Sequence, residues 1–223
     1  MATDAPTAMH TDTDLLTLLQ WMSPTFPVGA YSYSHGLESA VQSGAVSDAP
    51  SLAAWIETVL HFGAGRSDAL FLAAAFRAET PARLWEVESA CRAFAPSKER
   101  LTETTLQGEA FCKTVAEVWD LEVAGLSYPV AVGRAARLRG IAQDATAQFY
   151  LHAFLSNLAG AAMRLSVVGQ TDGQRLIRDL TPACADIATE TQDGDLDRLS
   201  GTAFLPDIAS MRHETQYSRI FRT

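Results

Sequence analysis

The residues that could carry chemistry are few and scattered. The histidines are His10, His35, His61, His152 and His213, and the cysteines are Cys91, Cys112 and Cys184. None falls in an HExxH pattern or a Cys/His cluster, so the spacing that holds a metal ion is missing. His35 and Glu38 stand at i, i+3 and could share a helix face, but both also suit an ordinary polar turn or interface. No metal site is expected, and His35 is the one residue kept as a candidate ligand. Nucleophilic catalysis needs a hydroxyl or thiol beside a base. GxSxG is absent, and Ser32 and Ser34 next to His35 read as a polar turn. There is no GxxxxGK[ST], and Gly63-Ala64-Gly65 lacks the strand that precedes a phosphate-binding glycine loop. Arg66 and Asp68 follow that glycine pair, where Asp68 suits the helix dipole and an ion pair or cap explains both. Arg164 ends a long apolar run and marks either a paired core group or a contact surface. Two segments remain, 23–38 and 211–223. Both mix aromatic, arginine and small residues, which is the composition of protein–protein hot spots.

The rest of the chain must position these residues. It has 223 residues, 48% of them hydrophobic, enough for a sizeable core and too apolar for a disordered chain. Seventeen Lys and Arg against 26 Asp and Glu give a net charge of −9, which argues against nucleic acid as a partner. Three unclustered cysteines suit a reducing compartment, and the start Met1-Ala2-Thr3-Asp4 does not read as a signal peptide, so a cytoplasmic protein is expected. The uncharged run Ala145 to Met163 carries Gln148, His152, Ser156 and Asn157. It reads as a buried helix with one polar stripe, not a membrane span.

The periodicity predicts an all-α protein: a single helical-bundle domain of roughly eight to ten helices with no significant sheet. Residues 1–11 form a flexible N-terminal tail, 12–205 the helical domain, and 206–223 a C-terminal tail for partner binding. Helices are predicted at 12–22, from Tyr33 or Ser34 to Gly44, from Ser47 or Asp48 to Gly63, and then at 66–78, 80–94, 97–120, 128–139, 143–168 and 172–192. Leu52, Trp55, Ile56, Val59 and Leu60 give the cleanest amphipathic pattern. The prolines of Ser23-Pro24-Thr25-Phe26-Pro27-Val28-Gly29 forbid a continuing helix. Around Leu205-Pro206 only a short helical turn is expected. The end of the chain is basic, with Arg212, Arg219 and Arg222 against Glu214, after an acidic stretch at 186–197.

Ser23-Pro-Thr-Phe-Pro-Val-Gly-Ala-Tyr-Ser-Tyr-Ser-His-Gly-Leu-Glu38 resembles the N-terminal signature of the urease accessory protein F (UreF) family. Met211-Arg-His-Glu-Thr-Gln-Tyr-Ser-Arg-Ile-Phe-Arg222 resembles its C-terminal signature, with Arg66 and Asp68, Met163-Arg-Leu165 and Gly169-Gln-Thr171 in order between them. The resemblance spans nearly everything after residue 12 and is weakest over 79–125. It implies an all-helical homodimer with no catalysis of its own and no tightly bound cofactor, acting in the nickel insertion that matures urease. The implied partners are accessory protein D (or H), the GTPase accessory protein G and apo-urease, with nickel handled by the complex. The alternative is a GTPase-activating protein acting on accessory protein G, with Arg66, Arg212 or Arg219 as the finger. A small-molecule site in the bundle would be sought at Gln148, His152 and Ser156. The resemblance puts Pro27, Gly29, Tyr33, Ser34, Gly36, Glu38, Arg66 and Asp68 at partner surfaces. It does the same for Arg212, His213, Glu214, Gln216, Tyr217, Ser218, Arg219, Phe221 and Arg222. The family more often has Gln at the position of His35, which speaks against His35 as a family-wide nickel ligand.

Overall fold

Side-chain caps begin four of the helices. Thr11, Asp48, Thr80 and Ser97 each accept the amide three residues on, satisfying one of the donors that a first turn leaves open. Pro50, Pro81 and Pro129 sit in first turns, where a missing N–H costs nothing.

The computed structural model describes residues 11–222. Among these the order is α1 (Asp12–Trp21), a 3-10 turn (Ala30–Ser32), α2 (Leu37–Gln42), α3 (Ala49–Phe62), α4 (Ala64–Arg77), α5 (Pro81–Ala93) and α6 (Lys98–Trp119). Then come α7 (Tyr128–Arg139), α8 (Gln143–Arg164), α9 (Gln170–Glu190), a second 3-10 turn (Leu196–Arg198) and α10 (Phe204–His213). No strand occurs among the described residues, so the fold is the single all-α domain expected. No helix among them is long and apolar enough to cross a membrane.

Three boundaries differ from the sequence expectation for clear backbone reasons. His35 and Gly36 take left-handed conformations (φ 53° and 76°), so α2 starts at Leu37 and not at Tyr33 or Ser34. Ser166 (φ 60°) ends α8 at Arg164, with the Val167 amide turned back to the Ala162 carbonyl. Phe204–His213 forms a full helix where only a turn was expected, so the 205/206 boundary falls inside α10. Thr11, assigned to a flexible N-terminal segment, caps α1 through a reciprocal bond with Asp14. Residues 1–10, with His10, lie outside the described residues.

Helix α4 is the axis of the core. Its residues Ser67 to Ala75 are all buried, and α3, α5, α7, α8 and α9 pack around it. Close approach depends on absent side chains: a Cβ on Gly133 of α7 would meet the Leu72 carbonyl of α4, and one on Gly108 of α6 would meet the Leu126 carbonyl before α7. The proline turn after α1 is pinned by Phe26, whose ring lies 5.5 Å from Phe111, itself 5.4 Å edge-on from Trp21. Gly133→Ala is expected to lower stability by about 3 kcal/mol, because neither backbone can yield cheaply. Gly160→Ala, with open space around its Cβ position inside α8, is expected to raise it by roughly 0.5–1 kcal/mol. Thermal unfolding of both variants checks the pair.

Candidate partner-binding site

The left-handed step at His35-Gly36 turns the chain beneath α10. A Cβ on Gly36 would stand 2.6 Å from the Ser210 amide nitrogen, so only glycine lets the two backbones meet. The turn delivers Glu38 into the protein, where it is 6% exposed. Its carboxylate accepts from the amides of Ile220 at 2.7 Å and Phe221 at 2.9 Å, and faces His213 Nε2 at 3.1 Å. One buried carboxyl group thus gathers two amide donors and an imidazole nitrogen from the last residues of the chain.

The first turn of α6 holds the same tail from the other side. Glu99 Oε2 faces His213 Nδ1 at 2.8 Å, and Glu99 Oε1 accepts from Arg219 Nη1 at 2.7 Å. Glu214 accepts the Lys98 amide at 2.9 Å, and the Ser97 and Ser210 hydroxyls bond at 2.7 Å. Further out, the Arg222 amide donates to the Ser32 carbonyl at 2.8 Å. The Arg164 guanidinium lies 4.5 Å over the Phe221 ring and donates to the Tyr31 carbonyl. The tail is a wedge between the 32–38 turn and the start of α6.

Beneath the wedge lies a buried charged network. His35 Nε2 is 3.1 Å from Glu103 Oε1, with Gln107 donating to that oxygen at 3.0 Å and Arg100 Nη1 at 3.4 Å. Arg100 Nη2 reaches Asp68 at 2.6 Å, and the Tyr150 hydroxyl donates to Asp68 at 2.7 Å. Burial pushes the Glu103 carboxyl up, but the charges of His35 and Arg100 and the hydrogen bonds from His35 and Gln107 outweigh it and hold it below the usual range. Burial weakens the Arg100 charge, and Asp68 and Glu103 more than restore it. Burial and then Asp68 push the Tyr150 phenol well above its ordinary value, so it stays a donor. This network floors a cleft of about 1290 Å³ walled by Leu19, Trp21 and Phe26 on one side and Phe149, Phe154 and Cys184 on the other. The stripe Gln148, His152 and Ser156 faces the cleft as well. Burial raises the Cys184 thiol to about 11, so it is not a thiolate nucleophile.

The sequence-selected residues divide cleanly. Tyr33, Ser34, Gly36, Glu38, Asp68, His213 and Phe221 are buried and tie the molecule together. Pro27, Arg212, Glu214, Tyr217, Ser218, Arg219 and Arg222 are exposed, and Gly29, Arg66 and Gln216 are half-buried. Arg66 and Asp68 do not pair with each other. Arg66 bonds Glu190 at 3.0 Å and the Arg198 carbonyl at 2.9 Å, while Asp68 serves the inner network. His35 is spent on Glu103 and on the Phe154 ring, 4.6 Å away. Among the described residues no group of three His, Cys, Asp or Glu is placed to hold a metal ion. Sequence reasoning missed Glu99, Arg100 and Glu103. Their i, i+1, i+4 spacing sets the two carboxylates one turn apart on α6, a signal that was present but looked like an ordinary solvated face. It also missed the outward apolar stripe of α10, Phe204, Leu205, Ile208 and Met211, all exposed.

Comparison with known proteins bears on these segments. The family model described as UreF matches residues 46–181. A urease accessory protein UreF of Ruegeria pomeroyi is 54% identical over 216 residues, covering 97% of this chain and 100% of its own. Proteins of the same name from Roseobacter denitrificans (47% identical, 96% of each chain) and Rhodopseudomonas palustris (44% identical, 98% of this chain and 95% of its own) are similar at full length.

Two measurements check the site. Glu38→Ala leaves His213 and two amides without their acceptor, which costs roughly 3 kcal/mol or more. Trypsin should then cut after Arg212 and Arg219 at least about tenfold faster than in the parent. Glu103 is held below its ordinary value of 4.5 by the fold, so its contribution is present above that pH and lost as the pH falls through the folded value. Thermal midpoints of parent and Glu103→Gln should therefore differ most near pH 7 and converge as the pH falls through the lowered folded value.

Proposed function

This chain belongs to the UreF family of urease accessory proteins, and from that premise we propose that it is a non-catalytic scaffold for nickel insertion into apo-urease. In this reading it joins accessory protein D (or H) to the GTPase accessory protein G and brings them to the enzyme. The nickel ion is cargo of the assembly rather than a resident cofactor of this chain. The protein acts as a cytoplasmic homodimer, and the exposed Leu16, Leu19 and Tyr31 supply apolar surface for such an assembly.

The observation that carries the reading is the docked tail. The clamp at Glu38 and Glu99 spends its buried atoms inward, while α10 and the tail turn Phe204, Leu205, Ile208, Met211, Tyr217 and Ile220 to solvent. An apolar patch rimmed by Arg212, Glu214 and Arg219 is the anatomy of a protein interface. Ordering the tail in advance lowers the entropy cost of association. We assign this face to the D protein and the 27–34 turn to the G protein.

A second reading, activation of GTP hydrolysis by accessory protein G, is narrowed by the ion pairs. Arg66 is held by Glu190 and Arg219 by Glu99, whereas Arg212 is exposed and makes no ion pair among the described residues. An arginine finger raises such rates about 10³–10⁵-fold.

Replacing Leu205 and Met211 with Asp should leave stability within about 0.5 kcal/mol, because both are exposed. The same change should weaken copurification with the D protein by roughly thirtyfold, the scale of an interface hot spot. Normal assembly of a chain ending at Glu214 would remove the tail from the interface. Single-turnover GTP hydrolysis by the G protein, with parent chain and with Arg212→Ala, separates the readings: scaffolding predicts no acceleration that depends on Arg212.

A further inference from the structure

A second cavity shares the Asp68–Arg100 pair with the cleft but none of the cleft's apolar walls. It holds about 120 Å³ and lies between the α3–α4 junction, residues 94–96 and the segment leading into α10. Phe62, Phe71 and Phe94 wall it, the last two with rings 6.1 Å apart at 63°. Two of its polar groups are unmatched. Thr104 of α6 is 3% exposed and lines the cavity, and its hydroxyl has no hydrogen-bond partner. The other threonines of α6, Thr102, Thr105 and Thr114, each turn the hydroxyl to the carbonyl four residues back. Asp207, half-buried in the first turn of α10, also lines the cavity. It makes no ion pair or side-chain hydrogen bond among the described residues. Burial alone pushes its carboxyl up, which is the mark of a charge without a counter-charge.

We propose that this cavity binds a primary alkylammonium ion, whose N–H donors meet the Asp207 carboxylate and the Thr104 hydroxyl while its alkyl stem packs on the phenylalanine rings. The sign of the charge follows from the lining. An anion would face Asp207 unscreened, and the nearest cation, Arg100, is already shared between Asp68 at 2.6 Å and Glu103 at 3.4 Å. One arginine against those two carboxylates leaves the deep end negative as well. The rings add to the preference, because the face of an aromatic ring attracts a cation. A metal ion fits less well: phenylalanine offers it no ligand, and among the described residues no three His, Cys, Asp or Glu converge. The volume takes a short amine and excludes a drug-sized molecule. An ammonium head carries three donors and no acceptor, which suits a carboxylate and a hydroxyl that both lack a donor. The same chemistry is supplied by a free amine or by a lysine side chain of another protein. The site rests on no partner and so stands apart from the scaffold reading.

Calorimetric titration of the full chain with n-butylammonium chloride tests the site. Saturable binding with a Kd of about 1 mM or tighter is expected, within reach of so small a ligand. n-Butanol, which matches the shape without the charge, should bind at least about tenfold more weakly. Asp207→Asn and Thr104→Val keep the side-chain shapes, and each should weaken butylammonium binding at least about fivefold. Thermal unfolding without amine separates binding from a structural role: Thr104→Val removes a buried hydroxyl that has no partner, so it should melt at or above the parent's midpoint. A second titration, with Nα-acetyl-lysine methylamide, distinguishes the sources. Equal binding assigns the site to a lysine side chain, and binding of butylammonium alone assigns it to a free amine. No saturable binding by the parent up to roughly 20 mM amine would overturn the proposal. So would equal binding of butanol and butylammonium, or butylammonium binding by folded Asp207→Asn within about twofold of the parent. The first two outcomes use the parent chain alone, so a variant that failed to fold would not shield the proposal.

Discussion

A buried carboxylate must be paired, and Glu38 shows how much structure one such requirement can organise. At 6% exposure its burial is tolerable only because two amide donors and an imidazole nitrogen converge on it. All three come from residues more than 170 positions away, so satisfying this one group fixes where the chain must end. The Glu99 contacts follow from the same demand, since His213 has a second nitrogen and Arg219 a charge of its own. Without Glu38 the wedge would lose its inner face, and the cap that Glu214 places on the start of α6 would lose its support.

That constraint explains why a basic tail sits at the end of an acidic protein. Part of that charge is structural. Arg219 is spent on Glu99, and Phe221 is buried beneath Arg164. Outward the segment turns the apolar stripe of α10 with Tyr217 and Ile220, beside the exposed Arg212, Glu214 and Arg222. The segment therefore faces two ways. Its inner surface is held by charge and hydrogen bonds, which are directional and fix one conformation. Its outer surface is free to bury area against another protein, where affinity comes from apolar contact.

Much of the fold was legible locally. The amphipathic repeat of Leu52, Trp55, Ile56, Val59 and Leu60 marked α3, and the proline run at 24–27 marked the turn that follows α1. Gly44 and Gly140 ended helices where expected, both with positive φ. The two signature segments were also visible, yet their roles were not. Buried Ser34, Gly36, Glu38 and His213 look in sequence like the exposed Arg212 and Tyr217 beside them, because the polarity of a side chain does not say whether its partner is water or a distant residue. Arg66 and Asp68 show the same ambiguity: two residues apart, they serve unrelated networks.

By itself, then, the sequence determined the helices, their approximate ends, the absence of the common catalytic and ligand motifs, and the family likeness of 23–38 and 211–222. Each of these is written in contacts within a few turns of chain, where periodicity, proline and glycine act directly. Only the tertiary structure decided that α10 is a full helix and that Glu38 and Glu99 share one imidazole. It alone showed that α6, from the stretch where the likeness is weakest, carries Glu99, which meets the tail, and Glu103, which lines the cleft. Those outcomes depend on burial and on pairing between charges far apart in the chain, and neither has a local signature: a carboxylate becomes structural only when folding removes its water and brings a donor to replace it.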